Sequence, residues 1–373
     1  MFKSVALILC ALVFLAGCAT TPNQSVPPVW TATNAVPSVV APQTNQPPPV
    51  KTNQVPLMRS NPPSANVVAP APVFTWMSLN GWAAAHKTGA PHLVSRTPVA
   101  TYAIGSLRGV MVLEIGSREA TWNGTLIHLG FGPELVDKQV FVDGLDLEKN
   151  FEPLLCGPPL DFGTNRVIVI DPGHGGMNSG TFSVLDKRPE KEFTLDWAKR
   201  LAPLLASNGW TVYLTRTNDT YVTNASRVVF AEMHHAALFI SLHFNATPDR
   251  DKKTAGLETY CITPAGLPST LTRGYADPWS EYLPNNNFDA QNLQLAVHVQ
   301  SVLARTVGIE DLGVWRSRFE TVLQGQNRPA ILIEGGFLSN PREAALIESP
   351  AFRQKLAEAL AQALTLTGKT QEK

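Results

Sequence analysis

The stretch VIVIDPGHGG, residues 167–176, joins four consecutive apolar residues to a turn that contains one proline and three glycines. An unbroken run of valine and isoleucine is typical of a strand whose two faces are both buried. Glycine lets the backbone turn sharply and leaves room above a neighbouring side chain. The stretch therefore predicts a buried strand that ends by presenting a single histidine, His174, at the edge of a sheet.

The residues that follow continue the pattern of strands and helices as far as residue 368. This alternation predicts an α/β domain over residues 165–368, with a mostly parallel open sheet flanked by helices. Ligands of such sheets bind outside the carboxyl ends of the strands. The further strands are expected in WTVYLTR, LFISLHF, GLETYCI and AILIEGG, and the helices over residues 192–206, 226–235, 290–307 and 351–365.

Two further polar residues stand at predicted strand ends. His243 closes the run LFISLH, and Glu334 closes AILIE. Imidazole and carboxylate groups suit zinc, and a hydrolytic zinc site keeps one position open for water. A ligand carboxylate near His174 is expected from PEKEF, which offers Glu190 and Glu192 and leaves the choice between them open. Glu334 would then be the general base that takes a proton from the water.

Six motifs occur in a fixed order: VIVIDPGHGG, EKEFTLDWAKRL, VYLTRTND with YVTNASR, SLHFNA, GLETY and RPAILIEGGFLSNPRE. Together they resemble the zinc-dependent N-acetylmuramoyl-L-alanine amidases of the type 3 cell-wall hydrolase family. The resemblance implies a sheet of about six strands, with zinc held by His174, Glu190 and His243 and with Glu334 as the catalytic residue. The resemblance favours Glu190 over Glu192 as the zinc ligand, because in the family the ligand glutamate directly precedes a lysine, here Lys191.

The resemblance implies a peptidoglycan hydrolase that cleaves the amide bond between N-acetylmuramic acid and the L-alanine of the stem peptide. Two alternatives remain open. One is a non-catalytic lipoprotein that binds peptidoglycan, and the other is a zinc peptidase that cuts within the stem peptide. Thirty basic residues balance thirty acidic ones, so the charge gives no reason to expect nucleic acid as a partner.

The N-terminus has the pattern of a secreted lipoprotein. Lys3 precedes an apolar stretch over residues 5–14, which is shorter than the roughly 20 residues needed to span a bilayer. Residues 1–17 are therefore interpreted as a signal peptide. The sequence LAGC resembles a lipobox, which implies cleavage before Cys18 and lipidation of its sulfur. With Ala19 next, we expect a periplasmic protein anchored to the inner leaflet of the outer membrane.

Residues 18–72 have the composition of a disordered tether. The stretch 20–72 contains thirteen prolines and no aspartate or glutamate. Such a segment cannot bury enough apolar surface to offset the entropy of ordering it. The tether would let a membrane-anchored enzyme act at a distance from the lipid.

Residues 73–156 predict a small, mainly β domain. Short runs such as GVMVLEIGS and TWNGTLIHLG are bounded by turns, and Asn123-Gly124 is a strong hairpin signal. A helix that includes Trp76 is expected at its start. The domain weakly resembles the N-terminal type of copper amine oxidase domain found in cell-wall proteins. Its histidines are scattered and predict no chemical site.

A long polar and aromatic insert, PAGLPSTLTRGYADPWSEYLPNNNFDAQN, occupies residues 264–292. Loops of this length are usually functional or mobile. The insert is interpreted either as a substrate platform, in which Tyr275, Trp279 and Tyr282 stack on sugar rings, or as an inhibitory lid that an activator protein displaces. Both interpretations remain open.

The other candidates have structural interpretations. Arg216 and Arg227 match arginines of the family and are expected to form ion pairs that maintain the fold. The pair His234–His235 is expected at a helix end, and His298 within a helix. Cys156 and Cys261 would be the unlipidated cysteines of the mature chain, and the sequence leaves open whether they pair.

Overall fold

The strands of a computed structural model give the molecule its organisation. The structure describes residues 75–161, 163–247 and 251–366, all of which belong to one compact unit, Val67–Lys373. The predicted signal peptide, the lipidation site Cys18 and the tether over residues 18–72 lie outside the described residues. No helix in the described part of the chain combines the length and apolar character needed to cross a bilayer.

The strands of the described residues fall in two groups along the chain. The first group is β1 (Trp76–Ser78), β2 (His92–Ser95), β3 (Thr101–Ser106), β4 (Gly109–Glu114), β5 (Glu119–Trp122), β6 (Thr125–His128), β7 (Glu134–Val136) and β8 (Gln139–Asp143). The second group is β9 (Val167–Pro172), β10 (Thr211–Leu214), β11 (Leu238–Asn245), β12 (Leu257–Cys261), β13 (Asp311–Arg316) and β14 (Ala330–Phe337).

The helices lie mostly in the second part of the chain. They are α1 (Leu79–His86), α2 (Gly144–Asp146), α3 (Glu152–Leu155), α4 (Glu190–Ser207), α5 (Asn224–Met233), α6 (Asp289–Val307), α7 (Thr321–Gln324), α8 (Pro341–Glu348) and α9 (Pro350–Leu366). A π-helical turn over Leu147–Phe151 joins α2 to α3, and a 3-10 turn over Pro284–Phe288 leads into α6.

The predicted α/β sheet is confirmed. Its six strands run in the order β10-β9-β11-β14-β12-β13, and every neighbouring pair is parallel except β12 and β14, which are antiparallel. The strands β9, β11 and β14 lie side by side and run the same way. Their carboxyl ends therefore meet at one edge of the sheet, as the residues at those ends predicted.

Both faces of this sheet are covered. Ile168 and Ile170 of β9 pack in a core cluster with residues of α4, α6 and α9, whereas Val169 between them packs with residues of α5 and α7. Successive side chains of a strand point to opposite faces, so an unbroken apolar run satisfies both layers at once. This explains why VIVI carries no polar residue.

The first part of the chain adds a β meander to the same sheet. Strands β2 to β6 pair antiparallel in succession, and β6 pairs with β13 through Val314 and Ile127, so that one sheet contains eleven strands. Asn123 and Gly124 have φ values of +50° and +85° between β5 and β6, as expected for a two-residue hairpin turn. Strands β1, β8 and β7 form a separate sheet.

Two expectations about secondary structure were wrong in detail. Trp76 lies in β1 and not in a helix, because Ser78 takes an extended conformation and its hydroxyl caps α1 by accepting from the Gly81 N–H. The helix predicted over 192–206 begins two residues earlier, at Glu190, which places that carboxylate in the first helical turn.

The histidines for which the sequence predicted a structural role lie at or within helices. His234 follows the last residue of α5, and its Nδ1 lies 2.8 Å from the Phe230 carbonyl oxygen. His298 lies within α6 and donates from Nε2 to the carbonyl oxygen of Ala363 at 2.9 Å. Cys156 and Cys261 are both free thiols, the first exposed and the second buried.

Candidate metal centre

Three side chains meet at the edge of the sheet where β9 and β11 end. His174 follows β9, His243 stands near the end of β11, and Glu190 opens α4. Glu190 Oε2 lies 3.0 Å from His174 Nε2, and Oε1 lies 3.0 Å from His243 Nδ1. Each of the three residues offers one potential ligand atom, and these three atoms lie within 4.8 Å of one another. Two imidazoles and one carboxylate thus face a common point.

Glycines make this convergence sterically feasible. A Cβ atom on Gly173 would lie 2.2 Å from Cε1 of His243, and one on Gly180 would lie 2.5 Å from a Glu190 carboxylate oxygen. His174 itself has a φ of +63°, a conformation that non-glycine residues seldom adopt. The DPGHGG turn therefore combines a left-handed backbone conformation at His174 with glycines that have no Cβ atom. The His243 ring can consequently pack directly against the backbone of Gly173.

Buried arginines hold the turn in this shape. Asp171 is buried, accepts from the Ser241 hydroxyl at 2.7 Å and forms an ion pair with Arg227. Arg227 also donates to the His174 carbonyl oxygen at 2.7 Å, and Arg216 donates to the Gly173 carbonyl oxygen at 2.8 Å. The two arginines therefore fix the backbone on both sides of His174. Arg227 forms the expected ion pair, whereas Arg216 bonds to carbonyl oxygens and to the Thr194 hydroxyl and pairs with no carboxylate among the described residues.

Hydrogen bonds orient the three converging side chains. Nδ1 of His174 lies 3.0 Å from Asn178 Oδ1, which directs Nε2 towards Glu190. The Glu190 carboxylate accepts the backbone N–H of Phe244 on one oxygen and that of Thr181 on the other, each at 3.0 Å. Partners of this kind fix the tautomer and the direction of metal-binding side chains.

Burial and mutual contact shift the ionisation of the three groups. Burial alone would raise the pKa of Glu190, but hydrogen bonds and charge interactions with His174 and His243 hold this pKa below its usual range. Burial lowers the pKa of His243. Burial also acts to lower the pKa of His174, yet the hydrogen bond to Glu190, the charge of Glu190 and the hydrogen bond to Asn178 together outweigh it, so the net shift is upward. Glu190 is therefore an anion at neutral pH.

A second carboxyl group, Glu334, lies beside the cluster. It is the register partner of His243 in the pairing of β11 with β14. Its side chain is buried, and Oε2 has no hydrogen-bond partner among the described residues. Burial, followed by the charge of Glu190, raises its pKa well above the usual value. Glu334 and the three converging residues line one cavity of about 620 Å³.

Residues 168–366, more than half of the chain, match the protein family described as N-acetylmuramoyl-L-alanine amidase. The chain belongs to this family. The prediction that this domain belongs to the amidase family is therefore confirmed. All of the described structure that follows residue 167 lies within the match.

Curated relatives are consistent with the family. The amidase AmiC of Escherichia coli is 30% identical over 58% of this chain and 56% of that protein, and AmiA of Escherichia coli is 28% identical over 54% of this chain and 75% of that protein. A solved amidase from Clostridium difficile is 31% identical, with a TM-score of 0.45, over 54% of this chain and 96% of that one. The chain spans little more than half the length of the first relative.

Glu192, the alternative to Glu190, lies outside the candidate amidase site. Its side chain is 47% exposed and pairs with Arg188, 3.0 Å away, on the surface of α4. Two residues correspond to a rotation of about 200° around an α-helix, so Glu190 faces the cavity whereas Glu192 faces solvent. The spacing of the carboxylates in PEKEF alone left this choice open.

The insert over residues 264–292 contributes one wall of the amidase cavity. Of its three predicted stacking residues only Tyr275 lines the cavity, where its ring stacks on Phe319 with centroids 5.4 Å apart. Trp279 packs on Phe131 instead, with ring centroids 6.1 Å apart. Tyr282 is exposed and bonded to Asn287. The proposed row of three sugar-stacking rings is thus not formed at this cavity.

Sequence reasoning did not single out three charged residues of the cavity region. Arg273 of the insert and Glu320 line the cavity, and Glu258 of β12 is the register partner of Glu334. Glu258 lies within the GLETY motif, so the family resemblance could have identified it as a candidate residue of the site. Arg273 lies within the insert, whose path the sequence does not predict, and Glu320 belongs to none of the motifs, so only the folded chain brings them to the cavity.

Proposed function

We propose that this chain hydrolyses the amide bond between N-acetylmuramic acid and L-alanine in peptidoglycan, with zinc held by His174, Glu190 and His243. The proposal depends above all on one observation: these three side chains converge beside the buried carboxyl group of Glu334 within one cavity. The membership of the chain in the amidase family supports the same reaction.

The donor set fits zinc. Two imidazole nitrogens and one ionised carboxylate are ligands that this ion accepts, and no further protein ligand is needed for a hydrolytic site. The second nitrogen of His174 is already bonded to Asn178, as in most zinc-binding histidines. When bound, zinc supplies a Lewis acid that polarises the scissile carbonyl and makes water easier to deprotonate.

Glu334 would carry the proton through the reaction. Its carboxylate accepts a proton from the attacking water as the C–O bond forms, and then donates it to the nitrogen of L-alanine as the C–N bond breaks. The products are a glycan strand with a free lactyl carboxylate and a stem peptide with a free α-amino group. Burial, followed by the charge of Glu190, raises the pKa of this carboxyl group, which makes its ionised form a stronger base for the first step.

Digestion of purified peptidoglycan tests this proposal. Incubation with the protein is expected to release α-amino groups on alanine, detectable by dinitrophenylation and mass spectrometry. A chelator should abolish the release and zinc should restore it. The Glu192→Gln variant is the matched control and should retain full activity, because Glu192 faces solvent.

The other outcomes of the digestion identify the alternatives. New amino groups on residues other than the first alanine would mean a peptidase that cuts within the stem peptide. Sedimentation of the protein with peptidoglycan without any cleavage would mean a non-catalytic wall-binding protein. Either result would overturn the proposed amidase reaction.

We further propose that lipidated Cys18 anchors the enzyme to the inner leaflet of the outer membrane, facing the periplasm. At roughly 3.1 Å per residue, an extended tether of some fifty residues reaches on the order of 150 Å. The full chain is expected to incorporate labelled palmitate in bacterial cells and to sediment with the outer membrane. The Cys18→Ser variant should do neither, and labelling of this variant would exclude Cys18 as the anchor.

A further inference from the structure

Arg273 brings a positive charge from the insert into the candidate amidase cavity. The residue stands in an exposed turn with a φ of +49°, but its guanidinium reaches inward. Nη2 donates to Asn245 Oδ1 and to the Tyr260 hydroxyl, each at 3.1 Å. Asn245 lies two residues beyond His243 on β11, and the cavity that Arg273 lines is the one that contains the three converging side chains.

A closed ring of hydrogen bonds fixes the position of this guanidinium. Glu258 Oε2 accepts from Asn245 Nδ2 at 2.6 Å and from the Tyr260 hydroxyl at 2.9 Å, and Arg273 bonds to the same two side chains. The guanidinium carbon also lies 5.8 Å from the Tyr260 ring centroid and 5.5 Å from that of Phe319. Arg273 is therefore ordered by contacts on several sides before any ligand arrives.

The donors of Arg273 are only partly used. Among the described residues, no hydrogen-bond acceptor engages its Nε or Nη1 groups, because both of its hydrogen bonds come from Nη2. Arg227 is the other arginine in the lining of the cavity, and its guanidinium is committed to Asp171 and to backbone carbonyls. Arg273 thus offers N–H donors for a ligand in this cavity.

The carboxyl groups around Arg273 do not cancel its charge completely. Glu258, Glu320 and Glu334 are the acids that interact with it, and burial raises the pKa of Glu258 and raises the pKa of Glu320 to about 7. Near neutral pH these two groups are therefore less ionised than exposed glutamates. A fixed guanidinium with unused donors is suited to a carboxylate ligand, which it binds through charge-assisted hydrogen bonds.

The substrate of the proposed amidase carries such a group near the scissile bond. L-alanine supplies the leaving nitrogen, and the next residue, D-isoglutamate, continues the peptide through its γ-carboxyl group and leaves its α-carboxylate free. Successive α-carbons are about 3.8 Å apart, so this carboxylate lies roughly 6 Å from the scissile nitrogen. His243 and Asn245 stand two residues apart near the end of β11, where its pairing with β14 is irregular, and both line the same cavity as Arg273.

Given the proposed function, we propose that Arg273 binds the α-carboxylate of the second stem-peptide residue and makes the enzyme select stem peptides in which this carboxylate is free. In many peptidoglycans the group is amidated to D-isoglutamine, which removes the charge and keeps the shape. The insert then contributes to specificity as part of the substrate site, through a charge and not through a row of aromatic rings.

Two muramoyl peptides that differ only in this carboxylate or carboxamide provide the test. Binding is measured by calorimetry on the zinc-loaded Glu334→Gln variant, so that no turnover occurs. We expect the carboxylate ligand to bind about 10-fold or more tightly than the amide, as one charge-assisted hydrogen bond allows. Adding Arg273→Gln should weaken binding of the carboxylate ligand to the level of the amide and leave the amide ligand unchanged.

Matched variants separate recognition from folding. Arg273→Lys keeps the charge and should retain part of the preference, whereas Arg305→Gln, an exposed arginine on α6 outside this cavity, should retain all of it. In the active enzyme the preference should reside in KM, with kcat for the two substrates nearly equal. Equal weakening of both ligands by Arg273→Gln, or equal binding of both by the protein with Arg273, would overturn the proposal.

The same experiment distinguishes this inference from the proposed function. If the protein with Glu334 intact cleaves neither peptide, the amidase proposal fails, and the binding comparison still decides the role of Arg273. If it cleaves both at the same kcat/KM, the amidase proposal stands and the role of Arg273 in selection is excluded.

Discussion

Replacing Glu334 with glutamine is expected to lower kcat for release of L-alanine peptides by about 10³-fold, within the range attributed to general acid–base catalysis. Glutamine preserves the shape of the side chain but cannot take up the proton of the attacking water. Because Glu334 is not one of the three converging residues, zinc content should stay near one ion per chain. Turnover on a soluble muramoyl peptide and metal analysis on the same sample measure both quantities.

The contrast with Glu192→Gln makes this prediction specific. Both variants remove one glutamate charge, but only Glu334 lies in the cavity, so the Glu192 variant should stay within about twofold of the unchanged protein, as expected for a surface substitution. A Glu334→Gln protein that keeps its zinc and remains nearly fully active would remove Glu334 from the reaction. Loss of zinc from this variant would instead make Glu334 a ligand.

Alanine at Gly173 is expected to weaken zinc binding by at least about 100-fold, the upper range for disturbing the support of a metal ligand. The added Cβ would lie 2.2 Å from Cε1 of His243, so the imidazole must leave its position. His243 is held between β9 and β14 and cannot move far without breaking the sheet. Competition with a fluorescent chelator measures the affinity, and activity without excess zinc should fall in parallel.

Gly81→Ala is the control for this substitution. A Cβ on Gly81 would meet nothing closer than 3.9 Å, and the residue lies inside α1. Alanine is favoured over glycine in helices by about 1 kcal/mol, so this variant should be slightly more stable and should bind zinc normally. Unchanged zinc affinity in Gly173→Ala would mean that the histidine cluster tolerates displacement and is not built around the ion.

The sequence predicted the proximity of three candidate residues from the order of strands. His174 follows the apolar run of β9, and His243 and Glu334 close the apolar runs within β11 and β14, so three parallel strands bring them to the same region of the sheet. Glu190 was different, because it stands at a helix start where spacing gave two equal choices. Only the family resemblance preferred it, and the first turn of α4 then turned its carboxylate towards the histidines.

The contacts of the insert could not be predicted in the same way. Arg273 reaches Asn245 and Tyr260 across a turn of irregular backbone, and neither helical nor strand periodicity describes such a path. The prediction that the first helix includes Trp76 was wrong for a local reason, because the capping residue Ser78 determines where α1 begins. The pairing of β6 with β13 joins residues that are far apart in the chain, and no local pattern carries that information.

That pairing has a practical consequence for any shortened form of the enzyme. His128 stacks on Trp315 with ring centroids 3.7 Å apart, and its Nδ1 lies 3.0 Å from the Val314 carbonyl oxygen. In a chain shortened to begin at residue 165, β13 would be an exposed edge strand, and its unpaired N–H and C=O groups could pair with strands of other molecules. The meander acts as a cover for this edge, and a truncated catalytic fragment would lack that protection against self-association.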